Sequence, residues 1–234
     1  MYEYKFRVRY SECDRTGHLS LMGLLALFQD GGYLHAHDRG LDIHHSAQTE
    51  ETWYLLTWNI RAEKMPEIGA QCTLTTWFYE SRGVFARKNL LLRDENGKVL
   101  ACGDTLWVYM DTKNGVPIPP PEGQFSPEDY GEKWEMEYRS RKIAIPPSVE
   151  VLPPVTVSLE DVDTNRHVNN TRFAHMAFRA IGAPDGYTGL LAEYARQAYL
   201  GDVLTPLRAE TEEGTLLSFR NAHGITAATF VFRK

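Results

Sequence analysis

The stretch Asp163-Thr164-Asn165-Arg166-His167-Val168-Asn169-Asn170 sets a carboxylate, a carboxamide and an imidazole two residues apart. These are reagents for hydrolysis. An aspartate is charged at neutral pH and can draw a proton from water or attack a carbonyl itself. A carboxamide can hold that water or brace the carboxylate. An imidazole can polarise a bond or protonate a leaving group. A worn copy, Asp14-Arg15-Thr16-Gly17-His18-Leu19-Ser20, stands 149 residues earlier. It keeps the carboxylate and the imidazole but has Thr16 where the later copy has Asn165. The pair reads as a duplicated fold whose later half kept the full reactive set. A purely turn-shaping role for Asp163 and Asn165 is the plain alternative, since Asp and Asn shape turns routinely. The repeat and the histidine at fixed spacing weigh against it.

Elements able to hold such loops are legible around both copies. Lys5–Tyr10 alternates as a strand, with Phe6, Val8 and Tyr10 on one face. After the first loop, Leu21, Leu24, Leu25, Phe28 and Leu34 recur at helical spacing, with Gly31-Gly32 weakening the second half of that helix. Beyond Gly40 comes a connector, then the strand-like runs Trp53–Ile60, Gln71–Tyr79, Val84–Arg93 and Val99–Tyr109. Asp94-Glu95-Asn96-Gly97 has the composition of a hairpin turn. The later half repeats this order. A strand at Val155–Leu159 precedes the loop; Phe173, Ala177, Ala180 and Ile181 follow at helical spacing, and Asn169 or Asn170 can cap that helix. The runs Leu190–Tyr199, Leu204–Thr211, Thr215–Arg220 and Ile225–Phe232 follow, with Asn221–Gly224 in the place of the Asp94–Gly97 turn. An antiparallel sheet wrapped round one central helix, used twice, is an α+β fold. Pro117 to Pro154 holds nine of the twelve prolines, which remove backbone donors, so this segment reads as the link between halves. The division expected is 1–125, a linker at 126–150, and 151–234.

Composition narrows the chemistry. With a formal charge of −6, bulk attraction to nucleic acid or an anionic membrane is not expected. No apolar run approaches the roughly 18 residues of a membrane span, and Met1–Phe6 lacks the apolar core of a signal peptide. Three cysteines without CxxC spacing fit a reducing compartment, and a cytoplasmic location is expected. No GxSxG, GxxxxGK[ST] or GxGxxG follows a strand, which disfavours serine hydrolases, nucleotide hydrolases and dinucleotide enzymes. His35, His37, His44 and His45 with Asp38 and Asp42 invite a metal, but His35 and His37 diverge on a helix, so no metal is expected. Cys13 beside Asp14 and His18 could be a nucleophile; a small apolar role is favoured.

The chain resembles the acyl-acyl carrier protein thioesterases, tandem "double hotdog" enzymes of plants and bacteria. The similar residues are Arg9-Tyr10-Ser11-Glu12-Cys13-Asp14, Gln29-Asp30, Thr76-Trp77-Phe78, Arg87, the Gly97 turn, Trp107 and, most specifically, Asp163-x-Asn165-x-His167-Val168-Asn169-Asn170. The resemblance implies a tandem hotdog fold, with the first half taking the acyl chain and the second half catalytic. It implies Asp163, Asn165 and His167 as catalytic groups. It also brings Glu193-Tyr194-Ala195-Arg196-Gln197-Ala198 onto a family motif ending in a Glu-Cys pair. Gln197 and Ala198 occupy that pair's positions, so neither a glutamate base nor a cysteine nucleophile stands there. Gln197 can still orient water or an oxyanion. Asn169, Asn170 and Trp53 are candidates to line the substrate. The implied activity is hydrolysis of fatty acyl thioesters on acyl carrier protein, without a cofactor. The rivals are an acyl-CoA thioesterase, a non-catalytic acyl-binding protein, and a dehydratase with Glu193 as its only candidate acid. Arg139, Arg141 and Lys142, the one dense basic cluster, are candidates to dock the acidic carrier. A tandem chain fits a monomer or a homodimer.

Overall fold

Two hairpin turns of the same chemistry punctuate the computed structural model, which describes residues 1–234. At Asp94 the carboxylate accepts the backbone N–H groups of Asn96 and Lys98, each at 2.9 Å, and Gly97 closes the turn at φ 81°. At Asn221 the side-chain oxygen accepts those of His223 and Ile225, each at 3.0 Å, and Gly224 closes it at φ 75°. The chain divides into two units, Met1–Leu56 with Ile60–Arg139, and Thr57–Asn59 with Ser140–Lys234.

The first unit runs β1 (Tyr2–Arg7), α1 (Leu21–Asp38), α2 (Ile43–Thr49), β2 (Glu51–Ala62), β3 (Gln71–Arg82), β4 (Phe85–Asp94), β5 (Val99–Asp111) and β6 (Val116–Pro117). The sheet order is β1-β3-β4-β5-β2, and β6 pairs with β5. Ser20 caps α1 by accepting the Gly23 N–H at 2.9 Å, and Leu24, Leu25 and Phe28 are fully buried. The helix does not falter at Gly31-Gly32. A Cβ at Gly31 would lie 2.0 Å from Leu74 Cδ2, so the glycine lets α1 lie close against β3. The connector after Gly40 holds α2, whose first N–H groups Asp42 receives at 2.9 and 3.0 Å.

The second unit runs β7 (Glu150–Val151), β8 (Val155–Thr156), α3 (Asn170–Ala180), β9 (Gly189–Tyr194), β10 (Val203–Thr211), β11 (Gly214–Arg220) and β12 (Thr226–Arg233). Its order is β9-β12-β11-β10-β7, with β8 on β10. Phe173 of α3 packs its ring 5.4 Å from Phe219 and 6.1 Å from Phe230, which seats the helix on β11 and β12.

Three expected strands end early. The first stops at Arg7, leaving Tyr10 85% exposed in a 3-10 turn (Tyr10–Glu12). The expected Val155–Leu159 strand is only Val155–Thr156, followed by a matching turn at Leu159–Asp161. In both turns an acid three residues on takes a backbone N–H at 2.8 Å, Arg9 to Glu12 and Ser158 to Asp161, which folds the chain out of the extended form. The third, expected over Leu190–Tyr199, leaves the sheet after Tyr194. Within the proline-rich segment, residues up to Arg139 group with the first unit. Trp134 N–H and Tyr138 Oη both reach Asn89 Oδ1, at 3.0 and 3.1 Å. From Ser140 on, the chain groups with the second unit, where Ile143 N–H donates to Glu193 at 2.9 Å.

Candidate functional site

The two loops singled out by spacing are the same structure. Asp163 N–H donates to the His167 carbonyl at 3.1 Å, and Asp14 N–H donates to the His18 carbonyl at 2.7 Å. The fourth residue of each turn closes it onto the aspartate carbonyl, Arg166 at 2.9 Å and Gly17 at 3.1 Å. A two-residue bridge follows in each, Val162 with Val168 and Cys13 with Leu19, and each loop ends in a helix cap, Asn169 or Ser20. The closing residue is left-handed in both, at φ 64° for Arg166 and 81° for Gly17. Glycine takes that conformation freely; arginine does so at a cost of about 1–2 kcal/mol.

The chemistry of the two loops diverges at their carboxylates. Asp14 is exposed, and its Oδ1 accepts the Thr16 N–H at 2.8 Å, the Thr16 hydroxyl at 2.7 Å and the His18 N–H at 3.2 Å. The same hydroxyl stands 3.0 Å from His18 Nδ1. Partial burial works against the Asp14 charge, but these hydrogen bonds prevail and hold its pKa below the usual carboxylate range. Asp163 is half-buried. Its Oδ1 accepts the Asn165 N–H at 2.8 Å and its Oδ2 receives the Asn169 carboxamide at a long 3.4 Å.

The other expected site residues lie as follows. Asn165 is exposed and meets Asp163 through its backbone N–H. His167 is half-buried, its Nδ1 3.4 Å from the Val168 carbonyl. The Gln197 segment is brought to the loop, since Val168 N–H donates to the Ala198 carbonyl at 2.8 Å. Gln197 itself is exposed, with its Oε1 taking the Tyr199 hydroxyl at 2.6 Å. Asn169 is the cap of α3, its Oδ1 accepting Thr171 N–H at 2.9 Å and Arg172 N–H at 3.4 Å. Phe173 N–H goes to the Asn169 carbonyl at 2.8 Å. The first-turn donor not consumed by this capping is the Asn170 N–H, and the positive end of the helix favours negative charge there. Trp53 belongs to the first unit, and its indole N–H donates to Gln124 at 2.9 Å. Arg141 and Lys142 are exposed, while Arg139 is half-buried and paired with Glu137 at 2.9 Å. Cys13 donates its thiol to the Arg9 carbonyl at 3.3 Å. Burial and the Asp14 and Glu12 charges raise its pKa, which disfavours the thiolate form. Glu193 is tied to the Ile143 backbone.

A second polar cluster in the first unit was not anticipated. His35, considered above for a metal, is buried and sits 2.9 Å from Asp129 Oδ1 through Nε2, while Lys88 Nζ stands 3.0 Å from its Nδ1. Arg39 also reaches Asp129 at 2.6 Å, and Ser126 donates to it through both N–H and hydroxyl. Burial, with Lys88 alongside, lowers His35 to about 4, and burial lowers Lys88 to about 7. His35 and Lys88 line a cleft with Gly32, Ala36, Leu41, Trp53, Phe78, Trp107 and Phe125. Asp129 lies in the proline-rich segment, where Ser126-Pro127-Glu128-Asp129 carries the local signal of a capped turn, but nothing local pairs it with His35 or Arg39.

Residues 1–119 match the family model of the acyl-ACP thioesterase N-terminal domain. A chloroplastic acyl-[acyl-carrier-protein] hydrolase of Cuphea viscosissima is 24% identical over 226 residues, covering 89% of this chain and 54% of its own length. The chain thus spans about half the length of the curated relative it matches. An acyl-ACP thioesterase structure from Bacteroides thetaiotaomicron superposes with a TM-score of 0.85 at 21% identity, covering 99% of this chain and 97% of the other. The 12:0-ACP thioesterase of Umbellularia californica gives 0.84 at 18% identity, covering 99% and 96%. The twin sheet-and-helix units are therefore the tandem hotdog arrangement expected from the sequence. No helix is long and apolar enough to cross a membrane.

Proposed function

The chain belongs to the acyl-ACP thioesterase family, and from that membership we propose that it hydrolyses fatty acyl thioesters held on acyl carrier protein, releasing free fatty acid. The observation that carries this is Asp163, a half-buried carboxylate steadied on both oxygens at the cap of α3 and free of the hydroxyl clamp that occupies its twin. In the proposal Asp163 draws a proton from water as that water attacks the thioester carbonyl. General-base help of this kind is worth roughly a hundred- to ten-thousand-fold. The Asn170 N–H receives the developing oxyanion, a donor worth roughly a hundred- to a thousand-fold. Asn165 and Gln197 hold the water; with Gln197 Oε1 occupied by Tyr199, its NH2 group is the part left to donate. His167 assists departure of the thiol, which as a good leaving group needs little help.

The carrier is acidic in this scheme, and exposed Arg141 and Lys142, with Arg139 beside them in the chain, are assigned to meet it. Reversing their charges should raise KM for the carrier-bound substrate and leave a carrier-free thioester unaffected. The proposed location is cytoplasmic. The deciding experiment is release of fatty acid from acyl carrier protein and from CoA loaded with the same chain, over a series of chain lengths, with Asp163→Ala beside the wild type. Faster turnover on the carrier, lost in Asp163→Ala, supports the proposal. Near-full activity in Asp163→Ala, or preference for CoA, overturns it.

A further inference from the structure

The hydrolytic proposal makes no use of a buried row of three reactive side chains in the first unit. Lys88 is 5% exposed, His35 3% and Asp129 1%. Lys88 Nζ donates to His35 Nδ1 at 3.0 Å, and His35 Nε2–H donates to Asp129 Oδ1 at 2.9 Å. The rings of Tyr2 and Phe78, at 5.3 and 5.9 Å, hold the imidazole in place. Asp129 is fixed in turn by Arg39 at 2.6 Å and by the N–H and hydroxyl of Ser126. A nucleophile set on a base, with the base set on an orienting acid, is the arrangement that activates a nucleophile. Here the nucleophile is an amine.

The surroundings of Lys88 favour its neutral form. Its nitrogen meets the His35 ring nitrogen and, at 4.7 Å, the face of Phe78, with Asp129 and Arg39 beyond the imidazole. Burial brings its pKa down to about 7, so much of the amine carries a free electron pair at neutral pH. The same side chain lines a cleft of about 50 Å³, partly open to solvent, whose other walls include Leu41, Trp53, Trp107 and Phe125. Space of that size admits a molecule of a few heavy atoms, and apolar walls favour an uncharged one. An amine condenses with an aldehyde by expelling water alone, so no bulky leaving group has to pass. Carbon dioxide is as small, but it would leave a carbamate anion here with Arg39 already held by Asp129.

We propose that Lys88 is a covalent site for a small uncharged aldehyde, taken up as an imine at the end of the Lys88–His35–Asp129 row. The Lys88 nitrogen attacks the carbonyl carbon; a C–N bond forms and the carbonyl π pair moves to oxygen. The proton shed by nitrogen passes to His35 Nδ1, and Asp129 on Nε2–H steadies the imidazolium that forms. His35 returns the proton to the oxygen. The nitrogen then gives up its second proton, the oxygen leaves as water and C=N closes. Amine and aldehyde thus become imine and water, with nothing oxidised or reduced. Every residue involved belongs to the first unit, and neither a thioester nor Asp163 takes part, so the inference goes beyond the hydrolytic reading and does not rest on it.

The test exposes the 234-residue protein to acetaldehyde at neutral pH, traps imines with cyanoborohydride, and reads ethylation at each lysine by mass spectrometry of the digest. Lys5, Lys64, Lys98 and Lys113 are exposed and serve as internal references, being almost wholly ammonium at that pH. Lys88 should be trapped at least about ten-fold faster than any of them. The preference should vanish in urea, where the row is taken apart, and should narrow as pH climbs towards about 10.4 and the reference amines lose their protons. His35→Gln should slow trapping at Lys88 by roughly a hundred-fold and leave the reference lysines unchanged. The comparison within the wild type needs no variant, so a His35→Gln protein that fails to fold leaves the question answerable. Trapping at Lys88 no faster than at the exposed lysines, a preference that persists in urea, or an unchanged rate at Lys88 in folded His35→Gln overturns the proposal.

Discussion

Asn169 holds two jobs, and two substitutions pull them apart. Its Oδ1 accepts Thr171 N–H at 2.9 Å, Thr171 hydroxyl at 2.7 Å and Arg172 N–H at 3.4 Å, while its Nδ2 donates to Asp163 Oδ2 at 3.4 Å. Asn169→Ala removes both. Loss of a cap costs about 1 kcal/mol and up to about 2. The Thr171 hydroxyl, in a residue only 7% exposed, loses its partner as well, so about 2 kcal/mol in all is expected. In a chain of this size that lowers Tm by roughly 4–8 °C. Asn169→Asp keeps the accepting oxygens, and the positive end of α3 welcomes its charge, so Tm should hardly move. It also replaces the donor facing Asp163 with a second carboxylate. At the same separation the repulsion is about 1 kcal/mol even under the full screening of water. Asp163 then turns away, and a misplacement on the order of an ångström costs roughly a hundred-fold in rate. Thermal denaturation and kcat on one acyl carrier substrate read the two effects separately. Wild-type turnover in Asn169→Asp would refute the positioning role, and a Tm as low as that of Asn169→Ala would refute the cap.

Two further outcomes follow from the same geometry. Arg166→Gly relieves a left-handed arginine at about 1–2 kcal/mol, against about 0.4–1 kcal/mol for the freer unfolded chain, so a net gain of up to about 1.6 kcal/mol should appear in urea denaturation; a loss of stability would show that the side chain holds the loop. His35 is held at about 4 against 6.5 for the free group, so the unfolded chain binds the extra proton between those values. The His35 contribution is full above pH 6.5 and falls by about 3 kcal/mol as pH drops towards 4, and His35→Gln should flatten that limb. Lys88, at about 7 against 10.5, adds a slope of the same sign higher up, with stability rising as pH climbs from 7 towards 10.5. Denaturation midpoints across pH 4 to 10 that stay level would contradict both assignments.

What the sequence disclosed and what it withheld divide along chain separation. The turns at Asp94–Gly97 and Asn221–Gly224 are local, since an Asp or Asn folds back on the backbone N–H groups two and four residues on. The helix faces are local too, and their spacing placed α1 and α3. The 3-10 turns at Glu12 and Asp161 are equally local, since each acid takes the backbone N–H three residues before it and turns the chain out of the apolar alternation. The continuation of α1 through Gly31 depended on Leu74, which lies on another element. The buried row is the extreme case. His35 stands 53 positions from Lys88 and 94 from Asp129, and only the folded sheet brings them within 3.0 Å.

The repeat of the loop is legible in the sequence, but the difference between the two carboxylates on which the proposed mechanism rests lies in their hydrogen bonds. Thr16 places a hydroxyl between Asp14 and His18, binding the carboxylate at 2.7 Å and reaching the imidazole at 3.0 Å. Both reactive groups of the first copy are engaged by that one side chain. The carboxylate, stabilised by three donors, is a poorer base for it. Asn165 stands in the same place with the same backbone N–H on the aspartate, but it is exposed and leaves Asp163 to be steadied by Asn169 from the helix cap instead. Moving the support from a neighbour inside the turn to the cap residue keeps the loop's shape while leaving its carboxylate available. On the proposed mechanism, the exchange of Thr for Asn at equivalent positions is what separates the two loops.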